Sequence, residues 1–404
     1  MYDPAYPEGV VSTETLFLFW KNRIANKLKR LFSQKKVNNT VKKYHFQFEL
    51  NEEQVFFKTR TLLKKAGISP DAIIVFFARN HINAVNAKNI YEMHQMTGKP
   101  VYWLMYDTAP LTGGCHYSWD CTGYQNSCGE CPALSSEDPY DRTYRNLAYK
   151  KKYMDMTDIS LVVASEWQHL QATKSSVFRN HPIHKLFISI NPDVFKPVTK
   201  EISRKKTGIA ADRKVIFFGA KSFNDERKGF VYLQEALVIL KKSLEQDTAL
   251  AGKLTLLIAG EDMDKFKMMM PFEMVNMGMV DNNYGIASAY QAADIFLCPS
   301  IEDAGPSMVN QSLMCGTPIV SFAQGVSLDL VISGKTGYRA KLKDSADLAQ
   351  GLYSILKLDE NEFQAMKDNC RQMALELFHP DVIVDKWLDI LNADKTAGHR
   401  HINH

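Results

Sequence analysis

Residues 299–320 read PSIEDAGPSMVNQSLMCGTPIV, and they place two acids directly after a short apolar run. The apolar run predicts a buried strand, and the pattern that starts near Ser307 predicts a helix. Glu302 and Asp303 are therefore expected at the end of a strand and beside a helix N-terminus, with Gln311 one to two turns into the helix. A second apolar run follows CGTP, so the stretch indicates one strand–helix–strand unit of a parallel sheet.

The same alternation of short apolar runs and longer helical segments extends over most of the chain. The Pro-bounded connection NPDVFKP separates two series of runs. The sequence thus predicts two doubly wound α/β domains, at residues 1–190 and 191–404, with the last helix packing back on the first domain. Ligands of such sheets bind at the carboxyl ends of the strands, here in the cleft between the domains. The predicted strands are residues 72–78, 100–107, 159–165, 185–190, 214–220, 254–260, 294–300 and 318–323.

The composition is that of a globular protein, because 45% of the 404 residues are hydrophobic and 23% are charged. A net charge of +4 does not indicate a protein that binds nucleic acid. The chain has no apolar window long enough to span a bilayer, and no basic region precedes its first apolar residues as in a signal peptide. We interpret the seven cysteines as thiols or metal ligands in a reducing compartment, so the predicted location is the cytoplasm.

The basic charge is concentrated near the N-terminus. Residues 21–43 carry nine Lys and Arg and no acid, and they follow the apolar stretch LFLFW. Apolar residues recur there near helical spacing, which predicts a basic amphipathic helix. Such a helix either contacts an anionic membrane surface through residues 16–43, at the inner face of the membrane, or presents a solvated basic face on its own domain.

The acids after residue 300 suit the binding of a sugar, because carboxylates accept the hydrogen bonds that sugar hydroxyls donate. The adjacent helix N-terminus favours an anion such as a phosphate, and Gln311 can reach the hydroxyls of a ribose. The alternative is an acidic cap on an ordinary helix. A second loop, FFGAKSFNDERKGF, supplies Lys221, Arg227 and Lys228, which either bind a diphosphate or form a solvated basic loop.

The stretch at 299–320 resembles the donor-binding motif of family 4 retaining glycosyltransferases, which have the GT-B fold of two facing Rossmann-like domains. In that motif two glutamates are separated by seven residues and followed by CGTP. Aligned on CGTP, the first glutamate falls at Asp303, with Glu302 adjacent, and the second falls at Gln311. The resemblance implies that the first acid contacts the donor sugar and the second the ribose. Gln311 keeps the hydrogen-bonding capacity of the glutamate but loses its charge.

The resemblance continues in DLVISGKTGYRAKLKDSADLAQGL and in the basic loop, which is similar to the family segment that contacts the donor diphosphate. It implies a catalytic set of Glu302, Asp303, Arg227, Lys228 and Asp107. The implied nucleotide- and donor-binding set is Gly219, Lys221, Arg227, Lys228, Glu302, Asp303, Gly305, Pro306, Ser307, Met308, Val309 and Gln311.

A second signature, MYDTAPLTGGCHYSWDCTGYQNSCGECPAL (105–134), contains four of the seven cysteines. Four thiolates in one loop suit a tetrahedral zinc ion, with CGEC as the knuckle and His116 as a possible substitute ligand. Buried thiols and a disulfide pair are the alternatives. The candidate ligands are Cys115, Cys121, Cys128 and Cys131.

This signature is similar to a branch of bacterial family 4 enzymes that build surface polysaccharides. Many members have His where this chain has Tyr106, directly before Asp107. The resemblance implies a donor-side role for Asp107, and the alternative role is to cap a turn.

The start of the chain departs from the family pattern. The family's first domain opens with a strand, a glycine-rich loop and a helix, and the opening MYDPAYPEGVV resembles the region after that unit. We therefore expect a first domain that lacks its first strand–helix unit. Such a loss exposes a sheet edge and removes part of the site.

Together these features predict a hexosyltransferase-type enzyme that moves a sugar, with retention, from a UDP- or GDP-sugar to a saccharide or lipid-linked saccharide in polysaccharide biosynthesis. No cofactor is expected in the transfer step, because fixed cations and a helix N-terminus can stabilise the leaving diphosphate. Two alternatives stay open: a non-catalytic relative that binds nucleotide or glycan, and a GT-B-fold nucleotide-sugar epimerase.

Overall fold

A computed structural model describes residues 52–55, 58–67, 69–76, 85–222, 224–245, 247, 250, 252–261, 269–303 and 307–398. The predicted membrane-contact segment at 16–43 and the region of the expected missing unit lie outside these residues. Within these ranges, no helix combines the length and the apolar character that a membrane crossing requires.

The chain divides into two compact units. Of the described residues, the first unit comprises those up to Val162 together with Gln171–Ile183, and the second comprises Val163–Leu170 and those from His184 onward. The predicted boundary at 190 lies a few residues further along the chain. The predicted packing of the last helix on the first domain stays a prediction.

The N-terminal sheet has four strands in the order β1-β2-β3-β4. β1 and β2 are parallel, with Ile73 opposite Val101. Local sequence signals fix the helix between them, because the Asn86 side chain caps its first turn and Gly98 ends it with φ +64°. The strands are β1 (Ile73–Phe76), β2 (Val101–Met105), β3 (Ile159–Val163) and β4 (Ile183–Lys185), and the helices are α1 (Thr59–Ala66), α2 (Ala87–Thr97), α3 (Arg142–Met154) and α4 (Glu166–Ala172).

The C-terminal sheet has six strands in the order β10-β9-β8-β5-β6-β7, and its paired strands are parallel. This is the doubly wound order, in which the first three strands extend the sheet to one side and the next three extend it to the other. The order reverses between the first and fourth strands, which here are β5 and β8. The strands are β5 (Lys214–Gly219), β6 (Leu254–Ala259), β7 (Glu273–Asn276), β8 (Ile295–Cys298), β9 (Ile319–Phe322) and β10 (Gly337–Ala340).

The helices of the C-terminal unit cover a sheet that is buried on both faces. Every residue of β6, β8 and β9 is buried, as expected for parallel strands between two helical layers. The core therefore holds the carboxyl ends of the strands at fixed positions. The helices are α5 (Lys200–Thr207), α6 (Phe230–Leu244), α7 (Asn283–Ala292), α8 (Ser307–Met314), α9 (Ser327–Leu330), α10 (Ser345–Leu356), α11 (Glu360–Phe378) and α12 (Pro380–Gly398).

A buried ion pair joins the amino ends of β5 and β8. Asp294 accepts hydrogen bonds from Arg204 Nη2 at 2.8 Å, from Lys200 Nζ at 2.7 Å and from the Val215 N–H at 2.8 Å. Removal of one partner from such a pair leaves a buried charge without compensation. Asp294 is thus a structural residue.

The predicted strand at 185–190 is wrong in its extent, because the observed strand β4 ends at Lys185. The Leu186 N–H still bonds to the Val163 carbonyl at 2.8 Å, and the chain then leaves the sheet. The Phe187 ring packs against Phe378 at 6.3 Å, and the Ile190 N–H bonds to the Phe378 carbonyl at 3.2 Å. The apolar spacing that suggested a strand therefore reflects packing against α11.

Candidate functional site

The predicted donor-site residues lie at the carboxyl ends of β5 and β8. These strands are neighbours at the point where the strand order reverses, which is where ligands of doubly wound sheets bind. The basic loop leaves β5 after Gly219, and the two acids follow β8. The topology therefore brings together two segments that are far apart in the sequence.

The basic loop contains a short 3-10 turn, Glu226–Lys228, that begins with a capping bond from the Arg227 N–H to Asp225 Oδ1 at 3.1 Å. Gly229 ends the turn with φ +66°. A Cβ at Gly229 would lie 1.9 Å from the Pro299 carbonyl oxygen, so only glycine allows this close approach. The basic turn is thus held against the end of β8.

Lys228 and Asp303 form a direct ion pair. Lys228 Nζ lies 2.5 Å from Asp303 Oδ2, and the two side chains are 25% and 10% exposed. The lysine therefore keeps part of its surface open to solvent, and its charge is held beside a carboxylate. An anionic ligand at this position can replace the carboxylate as the partner of the ammonium.

Arg227 has a different environment from its neighbour. Its side chain is buried, its Nη2 lies 2.6 Å from Asp225 Oδ2, and its Nη1 donates to the Glu302 carbonyl at 3.4 Å. The Ile301 N–H donates to the Arg227 carbonyl at 2.8 Å. Arg227 thus fixes the backbone of the acid pair, and its predicted contact with the diphosphate stays a prediction.

Glu302 is buried next to a residue that the sequence did not indicate. Gln324, after β9, donates from Nε2 to Glu302 Oε2 at 3.4 Å. Both side chains are buried, so the carboxylate orientation depends on a third loop of the sheet. No local pattern around Gln324 distinguishes it from an ordinary loop glutamine.

Helix α8 begins at Ser307, as predicted, and carries the remaining donor-site candidates. Gln311 Oε1 accepts from the hydroxyl of Tyr290 at 3.2 Å. Burial raises the pKa of Tyr290 well above its ordinary value, so its hydroxyl stays a donor. Val309 is fully buried, which leaves only its backbone for the predicted contact. Gly305 and Pro306 lie outside the described residues.

A cavity adjoins this site and has a largely apolar lining. Gly219 borders it, and a Cβ there would lie 2.8 Å from Met308 Cε, so the Met308 side chain would have to shift to make room. A flat ring is suited to such a space between methionine side chains and glycine backbone. The lining residues are Gly219, Ala220, Lys221, Ala259, Gly260, Met279, Val280, Ile286 and Met308.

Asp107, in the N-terminal unit, has partners on both carboxylate oxygens. Oδ1 accepts from the Ala109 N–H at 2.9 Å, as in a capped turn, and Oδ2 lies 2.6 Å from His116 Nδ1. Both side chains are buried. These contacts support a structural role in the loop, and the donor-side role stays a prediction.

The four candidate metal ligands lie in the same unit and border one small cavity. All four are free cysteines. Across the described ranges, no group of three or more His, Cys, Asp or Glu side chains is arranged to hold a metal ion. His116, the possible substitute ligand, is instead paired with Asp107.

Residues 199–373 match the family model described as glycosyl transferases group 1. This part of the chain, which covers the observed site, is therefore similar to the domains of that group. Together with the two parallel-sheet units, the match identifies the fold as α/β of the GT-B class.

Two curated proteins are similar to this chain. The putative colanic acid biosynthesis glycosyl transferase WcaC of Escherichia coli (strain K12) is 22% identical over 277 residues, which are 65% of this chain and 62% of WcaC. The N-acetyl-alpha-D-glucosaminyl L-malate synthase of Bacillus anthracis is 25% identical over 125 residues, 30% of this chain and 32% of the synthase. The chain thus matches less than two thirds of the length of each.

Among solved structures, HepE of Anabaena in complex with UDP and glucose has a similar fold. It superposes with a TM-score of 0.58 at 13% identity, over 83% of this chain and 81% of HepE. At this level of identity the likeness concerns the fold.

Proposed function

We propose that this protein is a retaining glycosyltransferase of the hexosyltransferase type, which moves a sugar from a nucleoside diphosphate donor to a saccharide or lipid-linked saccharide acceptor. The observation that carries the proposal is the Lys228–Asp303 pair, held by Gly229 and Arg227 at the switch point of the C-terminal sheet. In this proposal, Lys228 binds the diphosphate of the donor and the adjacent Asp303 binds its sugar.

The leaving diphosphate is the group that this arrangement suits best. Lys228 supplies a partly exposed ammonium, and α8 begins at Ser307 just after the acid pair. A fixed cation and a helix N-terminus stabilise the negative charge that develops as the diphosphate leaves. In our proposal, the acceptor hydroxyl attacks from the face that the diphosphate leaves, and a phosphate oxygen takes its proton.

The adjacent cavity suits the nucleobase, and Gln311 the ribose. Met279 and Met308 offer polarizable side chains to a flat ring. The amide group of Gln311 can both donate to and accept from the hydroxyls of a ribose. Glu302 and Asp303 are then left for the hydroxyls of the transferred sugar. The complex of HepE with UDP and glucose supports a UDP-sugar, and the name of WcaC supports a role in polysaccharide biosynthesis.

The proposal is tested by calorimetric titration of the chain with UDP, GDP, ADP and dTDP, followed by incubation with the matching nucleotide-sugars. We expect one nucleotide to bind, and its sugar to be transferred to a saccharide acceptor with the anomeric configuration kept, as read by NMR. Binding without transfer to any saccharide or lipid-linked saccharide would favour a non-catalytic relative. An epimerised donor in the absence of acceptor would favour an epimerase.

Gln311→Glu is expected to bind the nucleotide about fivefold more tightly, because a charge-assisted hydrogen bond to ribose is about 1 kcal/mol stronger than a neutral one. The Tyr290 hydroxyl can still donate to the new carboxylate. The measurement is the Kd of the preferred nucleoside diphosphate and of its 2′,3′-dideoxy analogue. An equal gain for both ligands would contradict a contact between residue 311 and the ribose.

A further inference from the structure

We propose that Cys115, Cys121, Cys128 and Cys131 bind one structural zinc ion through four thiolates. The site lies in the N-terminal unit and is separate from the proposed donor site. Its formation replaces the four thiol protons by one Zn²⁺, releases those protons and leaves a complex with a net charge of −2.

The first observation is the shared cavity. All four cysteines border it, together with the glycines at 113, 114, 123 and 129, which leave room between the sulfurs. A Cβ at Gly123 would lie 3.5 Å from Cys121 Sγ and 3.9 Å from Cys128 Sγ. These two sulfurs therefore border the same small volume. The other three cysteines of the chain are buried elsewhere, in the C-terminal unit.

The second observation is the backbone of the CGEC segment. Cys128, Gly129 and Glu130 have φ values of +55°, +89° and +44°, and a Cβ at residue 129 would lie 2.1 Å from the Pro139 carbonyl. Left-handed backbone at a non-glycine residue is strained and persists only where surrounding contacts hold it.

Those contacts are present at each amide of the segment. The Cys128 N–H bonds to the Gly123 carbonyl at 2.9 Å, and the Glu130 N–H bonds to the Asp138 carbonyl at 2.9 Å. The Cys131 N–H bonds to Asp141 Oδ2 at 3.0 Å. The strain thus serves to hold two cysteines, three residues apart, on one side of the cavity.

The third observation is the set of donors around the sulfurs. The Gly113 N–H lies within hydrogen-bonding reach of the Cys128 sulfur, and the N–H groups of Ala133 and Leu134 lie within reach of the Cys131 sulfur. Such N–H groups can serve as the outer contacts that metal-bound thiolates require.

A buried cation next to the cavity points to negative charge within it. Lys150 is 3% exposed, and its Nζ donates to the carbonyls of Ala109 at 2.5 Å and Thr112 at 2.8 Å. In the part of the chain that the structure describes, the partners of Lys150 Nζ are these two carbonyl oxygens and no carboxylate. A buried ammonium needs a counter-charge, and the net negative charge of a four-thiolate zinc complex in this cavity would supply it.

The thiols have to move toward the ion, because among the described side chains no three are already arranged as ligands. Rotation about χ1 moves a cysteine sulfur between staggered positions without moving the backbone. The held backbone and the open cavity allow this rotation, and Zn–S bonds of about 2.3 Å then close the site.

The test is Co²⁺ titration of the reduced, metal-free full chain, with thiolate-to-cobalt charge-transfer absorption as the readout, and zinc analysis of the protein as purified. We expect one equivalent of metal per chain with four thiolate ligands, and displacement of Co²⁺ by Zn²⁺. Cys128→Ser/Cys131→Ser should lose stoichiometric binding. Cys370→Ala, a buried cysteine outside the cluster, and His116→Ala should keep it.

Two results would overturn the proposal. One is the absence of charge-transfer absorption in reduced protein whose circular dichroism shows an intact fold. The other is a disulfide within residues 115–131, found by mass spectrometry after thiol alkylation of protein kept in a glutathione buffer of cytosolic potential. Neither result depends on nucleotide binding, so the donor-site proposal is tested separately.

Discussion

Lys228→Ala is expected to weaken binding of the preferred nucleoside diphosphate by about 10- to 100-fold, since a hydrogen bond to a charged group contributes about 1.5–3 kcal/mol. The rate of transfer should fall further, because the charge on the diphosphate increases as it leaves. The measurements are the nucleotide Kd by calorimetry and kcat/KM for transfer. The control is Lys242→Ala, an exposed lysine on α6, which should leave both quantities unchanged.

Substitution of Asp303, the partner of Lys228, should affect nucleotide binding and sugar transfer differently. Asp303→Asn removes the carboxylate that forms an ion pair with the Lys228 ammonium in the nucleotide-free protein. We expect this variant to bind the free nucleoside diphosphate at least as tightly as the original chain and to transfer sugar far more slowly. If Asp303→Asn bound the nucleotide as weakly as Lys228→Ala, the ion pair would be a structural contact rather than a ligand site.

Gly229→Ala is expected to abolish nucleotide binding and to lower the free energy of unfolding by more than ~4 kcal/mol, because the new Cβ would lie 1.9 Å from the Pro299 carbonyl. The new Cβ is attached directly to the backbone and would meet a backbone carbonyl, so a change of side-chain rotamer cannot relieve the clash. Either the C-terminal unit loses stability, or the basic turn moves away from β8 and takes Lys228 with it. The measurements are urea-induced unfolding and nucleotide calorimetry.

Gly334→Ala is the matched control for this substitution. Gly334 also has a left-handed φ, +80°, but a Cβ there meets nothing within 4 Å. Gly334→Ala should lower the free energy of unfolding only by the conformational cost of about 1–2 kcal/mol, and nucleotide binding should stay intact. Equal effects of the two substitutions would show that the approach of Gly229 to Pro299 is not a constraint on the site.

Much of the C-terminal fold could be predicted from the sequence, because the strands there are apolar runs bounded by clear turn residues. The positions of Glu302 and Asp303 beside a strand end and of Ser307 at the start of a helix follow from that local pattern alone. The short strand β7 is not among the predicted strands, because only Met274 of its four residues is buried and the apolar signal is therefore weak.

The contacts within the site could not be predicted in the same way. Lys228 and Asp303 are 75 residues apart, and their contact depends on β5 lying next to β8 in the sheet. Arg227 and Lys228 look equivalent in the sequence, but in the structure Arg227 is buried and Lys228 is partly exposed. The local signal for this difference is Asp225, which caps the turn and pairs with Arg227. The contact of Gln324 with Glu302 comes from a third loop and has no local signal.

The position of β5 at the centre of its sheet has a consequence for folding. Its pairing with β8 joins Ile216 to Ile295, so this pairing closes a loop of roughly 80 residues, and such non-local contacts form slowly. During synthesis, one edge of β5 stays open until β8 has left the ribosome. The same pairing brings the basic turn to the acid pair, so the nucleotide site is complete only when the sheet is. A nucleotide that spans both segments therefore binds the folded sheet alone and slows its unfolding.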